Sequence, residues 1–182
     1  MPNVVVGVTG SISAYKAAEL VRLMVKRGWS VRVVMTEGAT KFVTPLTFQT
    51  LSRNKVVTDM FEPVADWKPE HIDLATWAGA FVVAPCTANV IAKLANGLAD
   101  DTLTAAALAF GPMLVIAPAM NDAMFLNPAT QANLATLASR GATIVSPGEG
   151  ELACGSSGRG RLAELEAICA AIAEHVKQSE KT

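Results

Sequence analysis

A chain of 182 residues, 51% hydrophobic but only 5% aromatic, is long enough to fold as one domain around an aliphatic core without disulfides. Fifteen basic against sixteen acidic residues give a net charge of −1, which leaves no basic excess for nucleic acid or an anionic membrane surface. Three cysteines with no CxxC pair point to a reducing cytoplasm, and no apolar run approaches the roughly 18–20 residues of a bilayer span.

The chain opens on Met1-Pro2-Asn3, without the cationic region of a secretory signal. Val4 to Val8 is a continuous β-branched run broken only by Gly7, the pattern of a strand buried on both faces. After Thr9-Gly10-Ser11-Ile12-Ser13-Ala14 a helix is expected through Leu20, Leu23 and Met24 to Arg27-Gly28, and then a second strand over Val31 to Met35. Phe81 to Ala84, Met113 to Ala117 and Ala142 to Val145 repeat the buried-strand pattern. Helices are expected at Ala88 to Ala95, Thr102 to Phe110, Pro128 to Ser139 and Ala163 to Val176; the last places Leu165, Ile168, Cys169, Ile172 and Val176 on one stripe. Strand–helix alternation with short loops predicts an α/β fold: a doubly wound parallel sheet in a flavodoxin-like or Rossmann-like three-layer sandwich. No internal repeat or linker interrupts it, so residues 1–176 read as one domain and 177–182 as a disordered tail.

In an open parallel sheet, ligands bind beyond the carboxyl ends of the strands. The unusual segments fall there: Thr9 to Ser13, Thr36-Glu37-Gly38, Pro85 to Val90, and Pro118 to Asn121. Gly10 allows close backbone approach, Ser11 and Ser13 bring hydroxyls, and the following helix N-terminus favours a phosphate; the lesser alternative for the loop taken alone is a Gly-Ser helix cap. It is neither GxxxxGK[ST] nor GxGxxG, so a nucleoside triphosphate or NAD is not indicated. Thr87 can cap a helix and Asn89 can offer its amide to a ring edge or a phosphate, while Cys86 reads as a small buried filler. Asn121 is either a helix cap or a carboxylate-holding amide. His71 opens a short amphipathic segment with Ile72, Leu74 and Trp77, and His175 on the last helix reads as solvated. Five glycines between Gly148 and Gly160 make a loop able to close over a ligand. Cys154 lies within it, and Arg159 and Arg161 are either lid charges or solvated. No His/Cys cluster of metal-binding spacing is present, and no Gly-x-Ser-x-Gly elbow.

Pro118-Ala119-Met120-Asn121-Asp122-Ala123-Met124-Phe125 resembles the Pro-x-Met-Asn-x-x-Met-Trp motif of the homo-oligomeric flavin-containing cysteine decarboxylases, with Phe125 in place of Trp. Pro85-Cys86-Thr87-Ala88-Asn89-Val90 is similar to that family's Pro-Ala-Ser-Ala-Asn-Thr, Cys86 and Val90 being departures. The segment from His71 to Ala78 resembles its active-site histidine segment, and Leu152-Ala153-Cys154-Gly155 its proton-donor loop. The resemblance spans Gly7 to about Leu162. It implies FMN bound by Gly10, Ser11, Ile12, Thr36, Thr87, Ala88, Asn89, Val90 and Ala119. It further implies substrate against Met120, Asn121, Leu152 and Ala153, and catalysis by His71, Asn121 and Cys154.

The reaction so implied is conversion of 4′-phospho-N-pantothenoylcysteine to 4′-phosphopantetheine and CO₂ in coenzyme A biosynthesis. Relatives that oxidatively decarboxylate peptide C-terminal cysteines stop at the ene-thiol and lack the donor that Cys154 supplies. A flavin prenyltransferase of related fold is the alternative from another enzyme class; a non-catalytic binding protein is a third, although the acidic tail of such relatives is missing. The resemblance also implies a homotrimer or a dodecamer of trimers with flavin at subunit boundaries, and a phosphopantothenoylcysteine synthetase as a fused or separate partner.

Overall fold

A computed structural model describes residues 2–62, 67–151 and 157–179. Its centre is a six-stranded sheet, every adjacent pair parallel, built from β1 (Asn3–Val8), β2 (Ser30–Met35), β3 (Val56–Val57), β4 (Ala80–Cys86), β5 (Val115–Pro118) and β6 (Thr143–Ile144). The order β3-β2-β1-β4-β5-β6 places the reversal of winding between β1 and β4, where α/β sheets open a crevice.

Alternation along the strands explains the three layers, because successive side chains leave opposite faces. Val4, Val6 and Val8 of β1 join one core with α1 (Ala14–Lys26), α3 (Pro45–Ser52) and α9 (Leu165–Ser179). Val5 joins the other, with α4 (Glu70–Trp77), α5 (Ala88–Asn96), α6 (Thr102–Phe110) and α8 (Pro128–Ser139). Gly7 belongs to this second face, and a Cβ there would come within 2.9 Å of the Leu103 side chain. The glycine therefore lets α6 lie close to the sheet. Two short helices, α2 (Glu37–Thr40) and α7 (Asp122–Leu126), begin at the carboxyl edge.

The expected strands and long helices form with small shifts. β5 starts at Val115 rather than Met113, since Met113 is 42% exposed before the buried run begins. The last helix reaches Ser179, three residues into the stretch expected to be a disordered tail. His175, expected to be solvated, is 3% exposed. It follows the buried Ile168 and Ile172 on the sheet-facing side of α9, and the desolvation of that position lowers its pKa. The glycine-rich loop also needs correction. Its two arms, β7 (Gly148–Glu151) and β8 (Ser157–Arg161), pair antiparallel as a hairpin.

Among the described residues, no helix is long and apolar enough to cross a membrane, and no group of His, Cys, Asp and Glu side chains could hold a metal ion.

Candidate active site

Four strand ends feed one cavity of about 590 Å³ at the carboxyl edge of the sheet, within the range of ~300–1,000 Å³ common for small-molecule sites. Gly10 and Ser11 after β1, Thr36 after β2, Thr87, Ala88, Asn89 and Val90 after β4, and Ala119 and Met120 after β5 all line it. Ile12 is 55% exposed and is not part of that lining.

The local sequence explains each loop. Thr36 and Thr87 are extended N-caps whose Oγ1 atoms accept the N–H of Ala39 at 3.3 Å and of Val90 at 3.4 Å. Ser11 Oγ accepts from the Ser13 N–H at 3.2 Å. Each hydroxyl thus uses a lone pair on the backbone, which leaves its O–H as the group to offer a ligand. Gly10 and Gly38 meet face to face: a Cβ on Gly10 would lie 3.1 Å from the Gly38 carbonyl carbon. That contact closes the floor between the first two loops.

The lining also takes Glu37, Gly38 and Met124 from the segments singled out in the sequence, and two residues that lay outside them, Lys93 and Asp101. Lys93 was legible in principle, since it follows Asn89 by four residues and so shares its helix face. Its ammonium sits 2.7 and 2.9 Å from the two Asp100 carboxylate oxygens and 3.4 Å from Asp101. The Asp100 hydrogen bond, foremost, holds Lys93 above the usual lysine range. Asp101 in turn caps α6 in a reciprocal box with Thr104.

Asn121 is the N-cap of α7, its Oδ1 accepting the Ala123 N–H at 2.9 Å. The capping reading is therefore met. Asn121 itself is not part of the cavity lining; it follows directly on the lining residues Ala119 and Met120, and the cap fixes the orientation of its carboxamide there. The glycine hairpin docks on this same turn. Met120 N–H donates to the Gly160 carbonyl at 2.9 Å, Gly160 has φ +153°, and a Cβ on it would run into the Met120 carbonyl oxygen. A Cβ on Gly158 would approach Asp122 to 2.7 Å. Arg159 pairs with Glu149 across the hairpin at 3.7 Å, and Arg161 lies 4.0 Å from Glu164. Leu152, Ala153 and Cys154 lie outside the described residues.

His71 is the second residue of α4 and does not line its own chain's cavity. The helix that carries it is well anchored. Arg32 donates to Asp73 at 2.6 Å and stacks 4.5 Å from the Trp77 ring, Lys55 donates to Glu70 at 2.8 Å, and Asn3 donates to the Trp77 carbonyl at 3.2 Å. Cys86 is fully buried as expected of a filler, and burial pushes its thiol far above the usual range, so it is no nucleophile.

A family model described as Flavoprotein matches residues 1–177. The chain belongs to the Flavoprotein family. It is 44% identical over 178 residues to the coenzyme A biosynthesis bifunctional protein CoaBC of Haemophilus influenzae, covering 98% of this chain and 44% of that protein. To the CoaBC of Bacillus subtilis it is 49% identical over 173 residues, covering 95% of this chain and 43% of that one. The chain thus spans less than half the length of these curated relatives. Among solved structures, a PPC decarboxylase mutant complexed with pantothenoylaminoethenethiol superposes with a TM-score of 0.84 at 30% identity, covering 97% of this chain and 98% of that one. The FMN-dependent cysteine decarboxylase SpaF superposes at 0.83 with 31% identity, covering 99% and 98%. The six-stranded parallel three-layer fold is the fold of these proteins.

Proposed function

We propose that this chain is an FMN-dependent decarboxylase converting 4′-phospho-N-pantothenoylcysteine to 4′-phosphopantetheine and CO₂ in coenzyme A biosynthesis. The observation that carries the reading is the single cavity into which Gly10, Ser11, Thr36, Thr87, Ala88, Asn89, Val90 and Ala119 converge. The CoaBC relatives and the PPC decarboxylase structure support the substrate, and the Flavoprotein family and SpaF support the cofactor.

The residues present fit FMN. The Gly10–Gly38 contact keeps side chains out of the loop floor, the hydroxyls of Ser11, Thr36 and Thr87 face the task of donating, and the Asn89 amide and the thioethers of Met120 and Met124 line the remaining wall. Bound there, FMN would supply hydride acceptance and return: acceptance would make a C=S group available to take up the electron pair released from the carboxylate, and return after protonation would leave the saturated thiol with the flavin reoxidised. The chain's own groups do the rest. His71 takes the substrate thiol proton, a role suited to imidazole. Asn121 orients the carboxylate through its amide, with Met120, Leu152 and Ala153 alongside. After CO₂ leaves, Cys154 gives a proton to the ene-thiolate carbon; thiols titrate near about 8.5 and are therefore protonated at neutral pH.

Because His71 stands off its own cavity, the reading includes a homo-oligomer, a trimer or a dodecamer of trimers, in which an imidazole on this flank meets a neighbouring copy's site. The enzyme works in the cytoplasm beside a synthetase, fused or separate, that makes its substrate. The purified chain, given FMN, is expected to show a flavin absorbance and to release CO₂ from the cysteine substrate. Flavin without CO₂, but with a prenylated flavin spectrum after addition of dimethylallyl phosphate, would replace this reading with the prenyltransferase one.

A further inference from the structure

Thr9 sits at the join between the first and third of the cavity loops and is fully buried. The β1–β4 ladder stops at the Gly7–Val83 pair, and β4 is irregular between Val83 and Cys86. Thr9 Oγ1 takes over where the main chain stops pairing. It donates to the Pro85 carbonyl at 2.7 Å and accepts the Thr87 N–H at 3.1 Å. One hydroxyl therefore uses a donor and an acceptor to tie the residue before Gly10-Ser11 to the residue that begins Thr87–Val90. The same loop is held from its other side by the Gly10–Gly38 contact and by the Ser11 N–H on the Thr9 carbonyl at 2.8 Å.

We infer that Thr9 is a positioning residue that sets the spacing between a phosphate loop, Gly10-Ser11, and a ring-edge loop, Thr87–Val90, so that the cavity prefers a phosphorylated flavin to the same flavin without phosphate. This rests on the FMN reading above. When two subsites are held at fixed spacing, filling one pre-organises the other and both contribute in full. When the tie is cut, each loop must be ordered separately, and the contribution of the phosphate shrinks even though no phosphate contact has been removed.

The test is a fluorescence titration of the chain with FMN and with riboflavin, read as the ratio of the two dissociation constants. A ratio is insensitive to a simple loss of folded protein, which lowers both affinities alike. The wild-type chain should prefer FMN by about 100-fold, in keeping with phosphate binding at a helix N-terminus. Thr9→Val, which has the same shape without the hydroxyl, should reduce that ratio by about tenfold or more. Thr9→Ser should retain it. An unchanged ratio in Thr9→Val, or a Thr9→Ser ratio as low as that of Thr9→Val, overturns the inference. If Thr9→Val does not fold, Thr9→Cys, whose thiol bonds weakly, must give an intermediate ratio; a wild-type value there overturns it too. A wild-type chain that binds neither flavin removes the FMN reading and this inference together, whereas wild-type binding with an indifferent Thr9 removes this inference alone.

Discussion

Gly160 shows how single residues set the site. Its φ of +153° and the contact a Cβ would make with the Met120 carbonyl mean that only glycine lets the hairpin reach the Asn121 turn. Gly160→Ala should cost about 1–3 kcal/mol of stability, the usual range for a side chain in such backbone geometry, and should raise the KM for substrate through a displaced hairpin. Denaturant unfolding and steady-state kinetics check the two effects. For the chemistry, Cys154→Ser should release CO₂ and accumulate the unsaturated thiol without completing 4′-phosphopantetheine. Normal product yield from that variant would remove the proton-donor role. Asn121→Asp places a carboxylate beside the substrate's own, so decarboxylation should fall at least about 100-fold, with FMN binding retained. Turnover equal to wild type would disprove carboxylate recognition by Asn121.

At the scale of elements, His175 on α9 makes a pH prediction. Burial lowers its pKa in the folded state below the ordinary 6.5, so the unfolded chain takes up a proton that the folded chain refuses. Stability is then fully present above about pH 6.5 and falls as the pH drops through that value toward the folded pKa. His175→Leu should flatten this acid slope whatever it does to stability at pH 8, as denaturant midpoints across pH 5–8 would record. An unaltered slope would assign the acid sensitivity elsewhere. His175 falls on the same face, three residues after Ile172 and seven after Ile168, but a histidine reads as polar, and only the packing of α9 on the sheet shows that this position of the stripe is buried. The long elements were legible for the opposite reason: Val4–Val8 and Phe81–Ala84 are apolar on both faces, which only a central parallel strand requires. The short ones, β3, α2 and α7, carry too few residues for a period to appear. The hairpin was hidden because glycines at 148, 150, 158 and 160 favour loops locally, and the close approach to residues 120–122 that demands them is a tertiary matter.

For the whole molecule, the carboxyl-edge site was readable as soon as the parallel sheet was, since four strand ends must open on the same side. What composition and motifs could not convey is which side chains the cavity of one chain lacks. Thr9, the tie beneath that cavity, stands in the sequence only as the start of the first loop, because a lone threonine after a strand carries no pattern; its two partners, 76 and 78 residues away, reveal its role. His71 lies outside the cavity lining of its own chain, and the proposed homo-oligomer is open to a direct test. If a neighbouring copy supplies the imidazole, mixing His71→Asn chains with Cys154→Ser chains, neither of which alone completes 4′-phosphopantetheine, should restore its formation in mixed oligomers, whereas no recovery would mean that each chain works with its own histidine. Decarboxylase activity is read by incubating the chain with FMN and 4′-phospho-N-pantothenoylcysteine and following the products by mass spectrometry. Stoichiometric CO₂ and 4′-phosphopantetheine, with flavin unchanged in amount, is the predicted result; flavin-loaded protein that leaves the cysteine carboxylate intact would contradict it.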